Sequence, residues 1–183
     1  MLVVLFSGGV DSTVLLTDAV ARGLAPLAMW FRYPHPAAAS EYRASSEIVR
    51  RLGCRWREQS LPLLAEAMNA PKGEPGPRIV PARNLCMVAT AINLVASHGG
   101  GEIWMGAQGA DAEYPDCRPE WVAGVDAMAQ AWGVRVRAPL IGLSRSDVIA
   151  KGRELGAPLD ACSSCYTPGP TGEPCGTCNS CRQ

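Results

Sequence analysis

Leu2-Val3-Val4-Leu5-Phe6-Ser7-Gly8-Gly9-Val10-Asp11-Ser12-Thr13 passes from strand to turn to helix in one short stretch. Its apolar residues, mostly β-branched or bulky, read as a buried strand. Ser7-Gly8-Gly9 breaks that strand. The two glycines let the backbone turn tightly and approach a ligand with no Cβ in the way. Asp11, Ser12 and Thr13 suit a helix start, and Val14-Leu15-Leu16 begins the apolar face. Free N–H groups and the positive end of the helix dipole converge at such a turn and collect anions. The turn is neither a P-loop nor a G-x-G-x-x-G motif. A tight turn with no ligand is the plainer reading. The two serines and the aspartate held in the turn favour a binding loop.

Outward from this loop, strands and helices alternate. The first helix covers roughly Ser12–Arg22 and the second strand Ala25–Phe31. Tyr33-Pro34-His35-Pro36 follows as a loop at the C-terminal end of that strand, where open α/β sheets bind ligands. His35 reads first as an ordinary loop residue. Glu41–Leu52 is amphipathic, with Tyr42, Ile48, Val49 and Leu52 expected inward, and Gly53 stops it. Cys54–Leu61 reads as a third strand and Pro62–Met68 as a short helix. Asn69–Pro81 is dense in Pro and Gly and reads as a long loop, either a binding loop or a plain connection.

Arg83 and Asn84 open an apolar helix that runs to Ser97, and the arginine suits an anionic ligand as well as solvent. Glu102–Gly106 is a fourth strand. The polar turn after it carries Asp111, Glu113, Tyr114 and Asp116 beside Arg118. Pro119–Trp132 reads as a helix with Trp121, Val122, Val125, Met128 and Trp132 in the core. Val134–Val136 is a fifth strand. Ser144 caps a helix to Leu155 with Asp147 at its third position. Arg145, in that helix's first turn, opposes the dipole, which implies an anionic partner. The pattern predicts an α/β fold, a doubly wound parallel sheet of about five strands, over residues 1–159.

A chain of 183 residues, 48% hydrophobic and 19% charged, is enough for one full core and a small appendage. The 17 basic and 17 acidic side chains balance, which argues against a broad polybasic surface for nucleic acid. No apolar run reaches the ~18 residues of a membrane span, and the apolar N-terminus lacks the basic flank of a signal peptide. A cytoplasmic protein is expected. Of eight cysteines, Cys162, Cys165, Cys175, Cys178 and Cys181 cluster near the C-terminus. Cys165, Cys175, Cys178 and Cys181, with glycines between them, can wrap one tetrahedral zinc, so 160–183 is expected to be a zinc-binding tail with four cysteine ligands. An iron–sulfur cluster is the rival. Cys162 is left as a free thiol.

Ser7–Ser12 resembles the pyrophosphate-binding loop of the N-type ATP pyrophosphatases. Three further blocks follow in order: Pro81-Ala82-Arg83-Asn84, Tyr114-Pro115-Asp116-Cys117-Arg118-Pro119-Glu120, and Ser164-Cys165-Tyr166 with Cys175-Gly176-x-Cys178-x-x-Cys181. Together they make the chain resemble the 7-cyano-7-deazaguanine synthases over nearly its whole length. The resemblance implies an adenine nucleotide alpha hydrolase-like fold. It implies ATP-dependent conversion of 7-carboxy-7-deazaguanine and ammonia to the nitrile through an acyl-adenylate and an amide, releasing AMP and pyrophosphate, on the path to queuosine.

On the same basis Ser7, Gly8, Gly9, Val10 and Ser12 would cradle pyrophosphate, Asp11 would orient Mg²⁺ or phosphate, and Arg145 would clamp phosphate. Arg83, Asn84, Asp111, Tyr114, Asp116 and Arg118 would hold the deazapurine base or its carboxylate. The resemblance also implies a structural zinc at the four cysteines, a homodimer, and no direct nucleic-acid or membrane partner. Free ammonium is the default nitrogen source. The chain differs from the family pattern at Tyr33–Pro36, Gln108 and Arg145, and is shorter. Three other readings remain open: a ligase that stops at the amide, a zinc-stabilised nucleotide-binding module without catalysis, and a tRNA-thiolating enzyme of the same ATP class.

Overall fold

A computed structural model describes residues 1–65, 80–109 and 114–182. The expected Asn69–Pro81 loop falls largely outside those residues, as do residues 66–68 of the expected Pro62–Met68 helix, and Asp111 falls wholly outside them. Five strands, β1 (Leu2–Leu5), β2 (Leu27–Arg32), β3 (Arg55–Ser60), β4 (Gly101–Trp104) and β5 (Val134–Arg137), form one sheet in the order β3-β2-β1-β4-β5. Every pairing is parallel.

Parallel neighbours need crossovers, and helices supply them. They are α1 (Val10–Ala21), α2 (Ala38–Leu52), α3 (Arg83–Ser97), α4 (Pro119–Ala129) and α5 (Arg145–Glu154), with a short α6 (Asn179–Arg182) in the tail. The alternation of strand side chains sorts these helices onto two faces. Val3, Met29, Ile103 and Val136 face α3 and α4, whose Val88, Leu94, Val95, Val122 and Val125 complete one core. Val4, Ala28 and Trp104 face Leu15, Leu16, Ile48 and Val148 of α1, α2 and α5 in the other. Residues buried on both faces explain why β1 and β2 read as continuous apolar runs, while β3, at the edge, carries exposed Arg55, Arg57 and Glu58.

Three packing expectations need correction. Met128 is 56% and Trp132 62% exposed rather than in the core. The helix meets the sheet through the narrow stripe Val122, Val125 and Ala129, which leaves Met128 outside it. Residues Gln130–Trp132 then tighten into a 3₁₀ turn, whose ~120° per residue swings Trp132 away from the α-helical face. Tyr42 is likewise exposed, and its ring lies against Trp30 and Trp56 instead of entering the core. The helix assigned from Glu41 begins three residues earlier, at Ala38.

The strand order places β1 beside both β2 and β4. The connections after β1 and β4 therefore leave the sheet at its topological switch point, where open α/β sheets hold ligands.

Candidate active site and metal centre

The loop after β1 owes its shape to local bonds. Gly8 has φ +76°, and a Cβ there would lie 2.8 Å from both the backbone nitrogen and the hydroxyl of Ser45. Gly9, in an extended conformation, is the N-cap of α1 and provides no side-chain cap, so the first N–H groups of the helix depend on other partners. Ser12 is buried and works inside the loop. Its hydroxyl accepts from the Ser7 amide at 3.3 Å and donates to the Gly9 carbonyl at 3.1 Å. The Ser7 hydroxyl accepts from the Gly9 amide at 3.3 Å.

Arg145 finds the anionic partner its position in the dipole demanded. Its Nη1 donates to both carboxylate oxygens of Asp11, at 2.8 and 2.9 Å. Gln108, from the end of β4, donates to the same carboxylate at 3.4 Å. Burial pushes the Asp11 carboxyl above its usual range, and the Arg145 guanidinium pulls against that shift. Gly106 lets the chain after β4 come this close, since a Cβ there would sit 3.3 Å from the Ser12 amide.

One strand away, the start of α3 meets the turn before α4. Ala82, at φ 56°, is the one non-glycine residue with positive φ among those described, and it caps α3. The Asn84 amide donates to Asp116 Oδ2 at 3.4 Å and its side chain to the Asp116 carbonyl at 3.5 Å. Arg83 Nη1 donates to the Tyr33 hydroxyl at 3.5 Å. Tyr114 precedes the 3₁₀ turn Pro115–Cys117, and Arg118 caps α4. Arg83, Asn84 and Asp116 are thus brought together. Asp111 lies outside the described residues.

His35 is no ordinary surface residue. Its ring stacks on Tyr33 at 4.3 Å, and its Nε2 lies 3.6 Å from Glu41 Oε2. Burial pushes the Glu41 carboxyl up to about 7 against the pull of Arg83. Burial, with Arg83, pushes the His35 imidazole down to about 4. Both groups are driven toward their neutral forms, so we read the contact as a neutral ring beside a neutral acid rather than an ion pair.

The two groups affect stability in opposite directions. Glu41 holds its proton more tightly when folded, so its contribution is present below pH 4.5 and is lost as pH rises to about 7. His35 holds its proton less tightly when folded, so stability rises with pH from about 4 to 6.5. In urea unfolding, Glu41→Gln is expected to expose a midpoint that climbs from pH 4 to 6.5. His35→Gln is expected to expose one that falls between 4.5 and 7. Parallel pH profiles for the two variants would refute the assignment.

Cys165, Cys175, Cys178 and Cys181 bring their sulfurs within 4.8 Å of one another. Four sulfurs at 2.3 Å from a tetrahedral ion lie about 3.8 Å apart. The Cys175–Cys181 and Cys178–Cys181 separations of 4.0 and 3.4 Å fall near that spacing. The Cys175 amide donates to Cys165 Sγ at 3.2 Å and the Cys178 amide to Cys175 Sγ at 3.4 Å, bonds that stabilise thiolates. The donor set fits a tetrahedral metal. Cys162 is outside it, packed beside α1 with its thiol donating to the Pro158 carbonyl.

Sequence reasoning assigned no role to Ser163 or to the Ser164 hydroxyl. The Ser163 amide donates to the Gly8 carbonyl at 2.9 Å, and Ser164 Oγ accepts from the Val10 amide at 3.3 Å. The available signal was that Ser164 belongs to the Ser164-Cys165-Tyr166 block and that Ser163 stands beside it.

The five-stranded parallel sheet, with its glycine loop at the switch point, has the adenine nucleotide alpha hydrolase-like fold. The solved structure of a 4-thiouridine synthetase–RNA complex with bound ATP superposes at TM-score 0.61, with 20% identity over 96% of this chain and 44% of that one. At that identity the likeness is one of fold. The chain belongs to the QueC family, whose model, described as queuosine biosynthesis protein QueC, matches residues 1–183. The 7-cyano-7-deazaguanine synthase of Paramagnetospirillum magneticum is 35% identical over 98% of this chain and 90% of its own length. That of Geobacter metallireducens is 36% identical over 98% and 85%. Among the described residues, no helix is long and apolar enough to cross a membrane.

Proposed function

We propose that this protein is a 7-cyano-7-deazaguanine synthase that uses ATP twice per turnover. Beside the family membership, one observation carries the reading. The sheet brings the nucleotide loop with its Asp11–Arg145 pair and the Arg83–Asn84–Asp116 group to the same end, at adjacent strand termini.

A carboxylate does not react with ammonia, because oxide is too poor a leaving group. Attack of the substrate carboxylate on the α-phosphorus of ATP forms an acyl-adenylate and expels pyrophosphate. Ammonia adds to the acyl carbon, loses a proton, and AMP departs with the bonding pair to leave the amide. The amide oxygen then attacks a second ATP, again expelling pyrophosphate. Loss of AMP and the remaining N–H protons gives the nitrile.

The chain's part is to bind, orient and neutralise. The backbone of Ser7–Ser12 and the N-terminus of α1 would receive the leaving pyrophosphate, whose charge is greatest as the bond breaks. Arg145 would turn from Asp11 to the phosphates. Asp11 would then serve Mg²⁺, which commonly takes one carboxylate with phosphate oxygens and water and supplies charge neutralisation. Arg83 would hold the substrate carboxylate. Asp116, with Asn84, would accept from the N–H edge of the base, and Asp111, Tyr114 and Arg118 would contribute to substrate binding. The four cysteines would hold zinc with no open position, a structural rather than catalytic set.

Mass spectrometry of a reaction with 7-carboxy-7-deazaguanine, ATP, Mg²⁺ and ammonium tests the reading. The expected products are the nitrile, AMP and pyrophosphate. The amide alone would remove the second adenylation, and no turnover would overturn the reading.

A further inference from the structure

The tail that carries the cysteine cluster also reaches the nucleotide loop. Ser163 donates its amide to the Gly8 carbonyl at 2.9 Å. Ser164 follows, and its Oγ accepts from the Val10 amide at 3.3 Å, a bond spanning 154 residues of sequence. Cys165, the next residue, is buried and its sulfur accepts from Cys175. Three consecutive residues therefore tie the loop at one end and the cysteine cluster at the other.

The Val10 amide is one of the first N–H groups of α1, the kind that a phosphate would use. Ser164 already engages it, and a hydroxyl that accepts through one lone pair keeps its own proton to donate. The loop also packs closely against this segment: a Cβ on Gly9 would sit 3.4 Å from Ser164 Oγ and 3.8 Å from the Ser163 carbonyl oxygen. A small loop-rich segment takes its order from its metal. Metal at the cysteines would therefore fix the placement of the Ser164 hydroxyl.

We propose that Ser164 is a positioning residue of the nucleotide site, and that through it metal binding at Cys165, Cys175, Cys178 and Cys181 is coupled to ATP binding. The inference rests on the reading of Ser7–Ser12 as an ATP loop. Coupling between two sites is reciprocal. Filling the cysteines tightens ATP, and ATP tightens the metal by the same factor.

The test uses the full-length protein loaded with zinc, with wild type, Ser164→Ala and Ser164→Thr compared. Calorimetric titration with MgATP measures nucleotide affinity. Equilibrium competition against a chromogenic chelator, with and without saturating MgATP, measures zinc affinity. A hydrogen bond that assists a charged ligand corresponds to roughly a tenfold change in affinity.

The expected result is about tenfold weaker ATP binding in Ser164→Ala, with affinity restored by threonine. MgATP is expected to tighten zinc about tenfold in wild type and threonine proteins, and not in the alanine protein. ATP binding in wild type that is matched by Ser164→Ala, with zinc affinity indifferent to MgATP, would overturn the coupling and leave the nucleotide reading standing. Failure of wild type to bind MgATP at all would overturn the nucleotide reading and this inference with it.

Discussion

Pyrophosphate release is expected to fall at least ~10²-fold when Asp11 is replaced by alanine, and by a comparable factor for Arg145→Ala, if the pair stabilises the charge that develops on the leaving group. Two side chains 134 residues apart form one unit here, with Nη1 of Arg145 on both oxygens of Asp11. Removing either leaves the other half-buried without its counter-charge, at 17% and 23% side-chain exposure for Arg145 and Asp11. That loss of stability stays below the roughly 3–5 kcal/mol of a fully buried pair, because water reaches both groups. The rate and the fold therefore separate experimentally. Initial rates at saturating ATP are expected to collapse while thermal midpoints move modestly. If the pair acts as a unit, the double alanine variant is little slower than either single one. Rates near wild type for Asp11→Ala would remove it from the mechanism.

Gly8→Ala is expected to be the most damaging single methyl in the loop after β1. The added Cβ would meet the Ser45 backbone nitrogen and hydroxyl at 2.8 Å and Ala44 Cβ at 3.1 Å. A backbone atom in the middle of α2 cannot turn aside as a flexible side chain can. The residue also sits at φ +76°, where an L side chain costs about 1–2 kcal/mol. Overpacking adds about 1–3 kcal/mol. Together these correspond to a fall in Tm of roughly 10 °C for a chain of this size. Gly9→Ala is the control. Its φ is −77° and its nearest contacts are at 3.4 Å, so thermal scanning is expected to show little change. Equal midpoints for the two variants would refute the steric account.

Element order was legible in the sequence because it is written in local chemistry. Apolar runs, glycine breaks and the Ser144–Asp147 capping box each act within a few residues, and the box forms as expected, with the Ser144 hydroxyl accepting from the Asp147 amide. Periodicity was a weaker guide to burial. It placed Met128 inside because the stripe that α4 buries is narrower than the apolar pattern, and Trp132 inside because an ideal helix was assumed past the point where the chain tightens into a 3₁₀ turn. His35 read as a bystander because its environment depends on Glu41 and Arg83, which only α2 and α3 packing on the sheet brings around it.

The class of the fold, the glycine loop, the four sulfur donors and the family were all readable from residue types, since each rests on short stretches of characteristic spacing. The tertiary structure decided which charges meet. It paired Arg145 with Asp11, set Asn84 against Asp116, and laid Ser163 and Ser164 on the loop. These contacts join segments that only the parallel crossovers bring to one end of the sheet. Hydrogen bonds act over about 3 Å, whereas the chain between their partners runs for 32 to 155 residues.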